Sequence, residues 1–290
     1  MKRFFISLSI IFFATAALVS CDKIEQQSDG TYTVYAGAVG EWNAGQGVAD
    51  KSQRALLEKF TGVRCNNCPT ADEQIATTLD NYAGKLIAIS IHDSISSFCN
   101  PYPNSLDLRT AVGTSWSEGF GRTTSSPSPA ALVNRMKKDG SYDIFYSFSS
   151  LSTYIDPIIS QDAKVAIGVA AARNNGSLDV TVDLEFLESL SDKLTVTLAV
   201  IEDGLIATQL LPDGHTRDTA YVHNHILRGV VTDVWGADVD CTGAAGEKRV
   251  ALFSTSNVNP EWNLDNCHIV AFVSKKENRE VLNVAECEIE

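Results

Sequence analysis

The chain has 290 residues, with 23 basic against 36 acidic side chains and a net charge of −13. Nucleic acid is bound by clustered Lys and Arg, so this balance excludes nucleic acid as a partner. The length leaves room for two domains.

Lys2 and Arg3 precede an apolar run from Phe4 to Val19, which ends in Leu18-Val19-Ser20-Cys21. The run is too short, and too close to a cut site, to span a bilayer comfortably, so residues 1–20 read as a signal peptide. The final residues resemble the bacterial lipobox, which implies cleavage before Cys21 and acylation of its sulfur. Acyl chains contribute about 0.8 kcal/mol per buried CH2, so two or three hold a soluble domain on a membrane. Residues 21–50 have no sustained apolar period and read as a tether, with a short edge strand at Thr31 to Tyr35.

From residue 51 to 161 the pattern alternates strand and helix. A strand is expected over Arg54 to Thr61, then Cys65-Asn66-Asn67-Cys68-Pro69. Ile75, Leu79 and Tyr82 give Ala71 to Tyr82 a helical period, stopped at Gly84. Lys85 to His92 reads as a buried strand and Leu106 to Phe120 as a helix around Trp116. Ser126-Pro127-Ser128-Pro129 leads into a strand at Ala130 to Val133, and Tyr142 to Ile159 carries a helical period. From 162 to 290 the period becomes that of strands. Two of them flank Asn174-Asn175-Gly176, a hairpin signal, and others are expected at 193–202, 220–233, 248–254, 268–274 and 280–288. This half reads as an antiparallel β-sandwich of Ig-like type.

A Cys-x-x-Cys pair between a strand and a helix start has a defined chemical use. The helix N-terminus favours thiolate at Cys65, which attacks, while Cys68 resolves the mixed disulfide. The exchange reading requires both sulfurs at the helix end beside open water. A purely structural disulfide is the rival. Half a zinc site is disfavoured because no second pair of ligands lies nearby. Pro129, followed directly by a strand, resembles the cis-proline that thioredoxin-fold proteins place opposite this motif, with Pro127 as the fallback. Arg64 stands where thioredoxins carry Trp, and Lys59 where they carry a buried acid. Arg64 would favour thiolate at Cys65, but the proton acceptor is left unnamed.

Three separated segments are similar to the Omp28-related outer-membrane lipoproteins. They are Leu56-Leu57-Glu58-Lys59-Phe60-Thr61-Gly62-Val63-Arg64-Cys65-Asn66-Asn67-Cys68-Pro69, Pro129 to Arg135, and His223-Asn224-His225-Ile226-Leu227-Arg228. The resemblance implies a lipobox, a thioredoxin-like domain followed by a C-terminal β-domain, residence at the outer membrane facing periplasm or cell surface, and an adhesin or receptor role.

Other candidates are weaker. His92 ends a strand and is a possible accessory group. Cys99 lies in a Ser/Pro/Asn-rich loop, as a bonded cysteine or a third redox thiol. Cys267 and Cys287 pair across the last hairpin if its turn centres near Glu277, and Cys241 with Cys267 is the competing pair. His223 and His225 alternate along one strand face, where two imidazoles can bind a metal with help from His215 and His268; a polar strand face is the favoured reading. The expectation is therefore a lipid-anchored thiol–disulfide oxidoreductase or isomerase acting on exported proteins or peptides, with no dissociable cofactor. The alternative is a surface binding protein or adhesin whose Cys-x-x-Cys is a static bond.

Overall fold

Three strands of the first half are mostly apolar, with Glu58, Lys59 and Ser90 as the exceptions: β1 (Ala55–Phe60), β2 (Leu86–Ile91) and β3 (Ala130–Val133). In the computed structural model, which describes residues 41–256 and 258–290, every residue of the three is buried. Strands covered on both faces need such composition. Helix α1 (Cys68–Asn81) crosses from β1 to β2, which lie parallel with Ala55 opposite Leu86 and Phe60 opposite Ile91. β3 runs antiparallel on the far side of β1, with Phe60 opposite Ala130, and the Ser128–Pro129 bond feeding it is cis. Helix α2 (Ala111–Gly119) begins later than the periodicity predicts, because Thr110 Oγ1 accepts from Gly113 N–H at 2.9 Å and caps it there.

Helix α3 (Ser152–Ile159) is much shorter than the helix expected over 142–159. Phe145 instead exchanges backbone hydrogen bonds with Ala131 at 2.8 and 2.9 Å, so the sheet edge claims the segment that local periodicity assigns to a helix.

The second half supplies β4 (Val165–Asn174), β5 (Ser177–Phe186), β6 (Leu194–Glu202), β7 (Ile226–Val230), β8 (Lys248–Thr255), β9 (Cys267–Lys275) and β10 (Val281–Glu288). Asn175 and Gly176 join β4 to β5 with φ of 49° and 91°, the paired left-handed residues of a two-residue hairpin turn. The strand expected over 220–233 is interrupted, because His225 adopts a φ of 58°. Asn43–Ala44, β8, β5 and β4 form an antiparallel four-stranded sheet.

The remaining strands form one long sheet in the order β10-β9-β6-β7-β2-β1-β3. β7 is the joint: Ile226 lies opposite Glu202 of β6 in antiparallel pairing and opposite Ser90 of β2 in parallel pairing. The expected boundary at 161/162 falls between α3 and β4, and the sheet runs across it. Alternation along its strands decides what each face covers. One face carries Phe60, Ile89, Leu132, Ile201 and Phe272 against Trp116 of α2. The other face covers two cores. Leu57, Ala88 and Ala131 meet Ile75 of α1 and Ile155 of α3, while Leu198, Val200 and Ile269 meet Val180, Val182 and Phe253 of the four-stranded sheet. The molecule is thus mostly antiparallel β with few helices.

Part of the expected tether is packed. Trp42 sits edge-on to Phe253 at 6.1 Å and donates from Nε1 to the Asp238 carbonyl at 3.0 Å. Val48 N–H donates to Glu185 Oε2 at 3.0 Å. The expected signal peptide, Cys21 and the edge strand at 31–35 lie outside the described residues. Among the described residues no helix is long and apolar enough to cross a membrane.

Candidate functional site: a covered Cys-x-x-Cys pair

Beyond β1 the chain turns through Thr61 to Arg64, and Cys65 N–H donates to the Gly62 carbonyl at 3.0 Å. Cys68 is the first residue of α1, and Pro69 follows where a helix needs no N–H. The two cysteines form a disulfide with Cα atoms 5.4 Å apart. Cys65 is 2% exposed and Cys68 0%, so the expectation of a pair beside open water is not met.

Two segments lie against the loop that carries Cys65. Arg64 N–H donates to the Phe98 carbonyl at 2.8 Å. An arm, residues 203–225, leaves β6 and returns to β7. Its Leu210 N–H donates to Val63 O at 2.8 Å, and Gln209 Nε2 donates to Cys65 O at 3.0 Å and Gly62 O at 3.5 Å. Gly62 permits the first approach: a Cβ there would stand 2.6 Å from the Phe98 carbonyl carbon and oxygen. Gly62→Ala is expected to displace residues 97–99 and cost about 1–3 kcal/mol, as overpacking against backbone does, read as a lowered urea midpoint.

On the face of β1 and β2 that α1 covers lies a seam of titratable groups. Lys59 points from β1 toward α1 and forms a close ion pair with Asp72, one helical turn after Cys68. Burial pulls its amine down to about 7. Asp72 is the acid that sequence reasoning missed: its place on the Cys68 face of α1 is visible in the spacing, but its pairing with Lys59 depends on how α1 crosses β1. Tyr221 of the arm donates its hydroxyl to Asp72 Oδ2 at 3.0 Å. His92 is buried, and among the described residues neither of its ring nitrogens has a hydrogen-bond partner. Burial, then His223 and Lys59, hold its pKa well below the ordinary value. His223 faces it edge-on at 6.0 Å, with Nε2 3.2 Å from Ala207 O, and burial lowers its pKa to about 4. A cavity of about 80 Å³ is lined by Lys59, Asp72, Ser90, His92, His223 and His225.

The remaining candidates fall elsewhere. Arg64 donates to the carbonyls of Asn100 and Pro101, each at 2.7 Å, and stacks over Tyr102 at 4.3 Å, so its bonds go to the loop after Cys99. Glu58, on the opposite face of β1 from Lys59, is locked to Arg135. Pro129, half-buried, enters β3 beside the end of β1; the buried Arg122 reaches Pro127 O at 3.1 Å. His225 lies 3.4 Å from Asp203, which is 3.7 Å from His268, while His215 sits in the turn capped by Asp213. His223 and His225 do not alternate along one strand, since strand geometry ends at His223. Among the described residues no three metal-ligating side chains converge.

The other described cysteines, Cys99, Cys241, Cys267 and Cys287, are unpaired. Cys99 is buried, bonds through its thiol to Thr61 O at 3.0 Å, and is pushed up to about 12 by burial and Asp93, so it carries no thiolate at neutral pH. Cys287 opposes Ile269 rather than Cys267, a register two residues away from the cross-hairpin bond that a turn near Glu277 predicts. Cys241 stays a free thiol at the edge of the sandwich core.

Comparison with known proteins bears on the fold and the family. HBP35 of Porphyromonas gingivalis superposes with a TM-score of 0.60 at 17% identity, over 83% of this chain and 77% of its own. A solved protein of Agrobacterium tumefaciens gives 0.49 at 14% identity, over 82% and 95%. A domain of the outer membrane lipoprotein Omp28 from Porphyromonas gingivalis is 24% identical over 44% of this chain and 89% of its own, with a TM-score of 0.31. No curated protein sequence matches the chain. At such identities the first likeness speaks for the fold alone. The sequence pattern of the family described as outer membrane protein Omp28 matches residues 119–290, which is more than half of the chain and includes β3, the arm and β4 to β10. The chain belongs to the Omp28 family, and its place is the outer membrane.

Proposed function

We propose that this protein is a lipid-anchored binding protein of the outer membrane, held through Cys21, in which β1, α1, β2 and β3 form a thioredoxin-like unit and the Cys65–Cys68 bond is structural. The observation that carries this reading is the burial of both cysteines, 2% and 0% exposed. Exchange needs a sulfur that an incoming thiolate can reach in line, and neither is offered in this conformation. The β-sandwich then supplies the binding face. The test is the reduction potential of the pair. A value below about −300 mV is expected of a structural bond, and one near −200 mV overturns the reading.

A second reading is favoured by one observation: the pair stands at the start of a helix directly after a buried strand, with the cis Ser128–Pro129 bond at the adjacent strand. In it the protein exchanges disulfides with exported proteins or peptides. A substrate thiolate attacks Cys65 Sγ, the Cys65–Cys68 bond breaks and Cys68 leaves as thiolate. The substrate's second thiolate then displaces Cys65, so the substrate gains a disulfide and the pair takes up two electrons. Reduced protein runs this in reverse, with Cys65 attacking and Cys68 resolving. Cys65→Ser abolishes insulin reduction under this reading; wild-type protein inert with a suitable reductant eliminates it.

A further inference from the structure

We infer that residues 204–224 of the arm are a lid, which lifts as a unit to expose Cys65–Cys68 while the long sheet stays folded. Four observations carry this. The first is how the arm is attached. Its ends, Glu202 and Ile226, lie directly opposite each other in the sheet, so the arm enters and leaves at one point. Its strand pairs are internal: Leu205–Ile206 with Val222–His223, and Gln209–Leu210 with Arg217–Asp218. Ser90 N–H to His225 O at 2.7 Å and Asp203 N–H to Asn266 O at 3.0 Å anchor the two ends of the arm, and lifting residues 204–224 between these anchors breaks no rung of the long sheet.

The second is how little apolar surface holds it down. Ala207, with Leu205 partly buried, belongs to a small satellite of the main cores together with Val63, Tyr102, Leu106, Leu108 and Ile226. Ile206 and Val222, cross-strand neighbours, instead face outward at 59% and 52% exposure. Segments with few buried apolar contacts open at the low end of a protein's local stabilities.

The third is that the remaining clasps are single polar contacts: Gln209 to the Gly62 and Cys65 carbonyls, Leu210 to Val63, Thr208 to Ser105, Tyr221 to Asp72 and Arg217 over the Tyr102 ring. The fourth is that arm and body are incompletely packed against each other: a cavity of about 80 Å³ separates Lys59, Asp72 and His92 of the body from His223 and His225 of the arm.

This inference goes beyond the static reading, and what an exposed pair then does belongs to the exchange reading. The experiment keeps the two apart. Mature protein in detergent is treated with a water-soluble phosphine across a range of urea below the unfolding transition, and loss of the Cys65–Cys68 bond is followed by alkylation and mass spectrometry. A lid gives a reduction rate that depends only weakly on urea, because local opening exposes little surface. It also gives arm amides, Ala207 and Leu210 among them, that exchange hydrogen faster than those of β6 and β9. Gln209→Ala and Tyr221→Phe each speed reduction about fivefold, the equivalent of one lost hydrogen bond. A rate that rises with the full urea dependence of global unfolding, in wild type and both variants, overturns the lid. An insulin-reduction assay on the same samples reports separately: a moving arm with no turnover leaves the lid standing and removes exchange.

Discussion

Arg135→Ala is expected to lower stability by about 3–5 kcal/mol, one of the two largest effects that the structure implies for a group outside the apolar cores. Arg135 donates from Nε to Glu58 Oε2 at 3.0 Å and Oε1 at 3.2 Å, and from Nη2 to Oε1 at 2.7 Å. Both side chains are out of contact with water, at 1% and 0% exposure. The guanidinium also sits 4.6 Å from the ring centroids of Trp116 and Phe272 and 5.2 Å from Phe120. Removing it leaves a carboxylate buried among rings with no counter-charge. Most of the loss is that stranded charge rather than the worth of the pair itself. Arg135→Met combined with Glu58→Leu should therefore recover most of the stability. Urea unfolding of the three proteins decides the matter; a single variant within about 1 kcal/mol of wild type contradicts the electrostatic account.

The second large effect is a fall in stability between about pH 6.5 and pH 4. His223 keeps a neutral ring in the folded protein down to about 4, because burial penalises the charged form. In the unfolded chain the same ring takes up its proton near 6.5. Across that window the unfolded state binds more protons, so stability drops as pH falls, by on the order of 3 kcal/mol for a shift of this size. His92 acts in the same direction. Lys59 acts in a different window: its folded-state value of about 7 lies below the unfolded value, so its contribution is lost between pH 10.5 and 7. Asp213, held down to about 2 by its bonds to Thr216 and His215, contributes above pH 3.8 and is lost only below it. His223→Phe should flatten the profile between pH 6.5 and 4. Urea midpoints measured at pH 7, 5.5 and 4 test this, and parallel profiles for wild type and variant would remove His223 as the cause.

Residues behind the family resemblance turn out to be fastenings of the long sheet. Asn134 accepts from Leu56 N–H at 2.7 Å and donates to Val281 O at 3.1 Å, tying β1 and β3 to β10. Arg228 of β7 meets Glu202 of β6 at 3.1 Å. Glu58 and Arg135 hold β1 to the segment after β3. A motif names these residue types in order, but their partners lie far along the chain, and only the folded sheet shows that they form pairs.

Local pattern alone was enough for the elements whose cause is local. The Asn175-Gly176 turn needs two left-handed residues in succession, and few side chains tolerate that backbone. β2 and β9 are largely apolar runs bounded by turn residues. The place of Cys65 and Cys68 between a strand and a helix follows from the change of period around them. Tertiary structure decided what depends on partners remote in sequence. It turned the helical period after Tyr142 into a sheet edge at Phe145, since backbone bonds to Ala131 outweigh a marginal helix. It set the hairpin register two residues from the one a Cys267–Cys287 bond requires. It also laid an arm from the second half over the cysteine pair and placed Asp72 on Lys59. Spacing along a chain fixes which side chains share a face, whereas burial and charge pairing are set by whichever surface arrives from elsewhere.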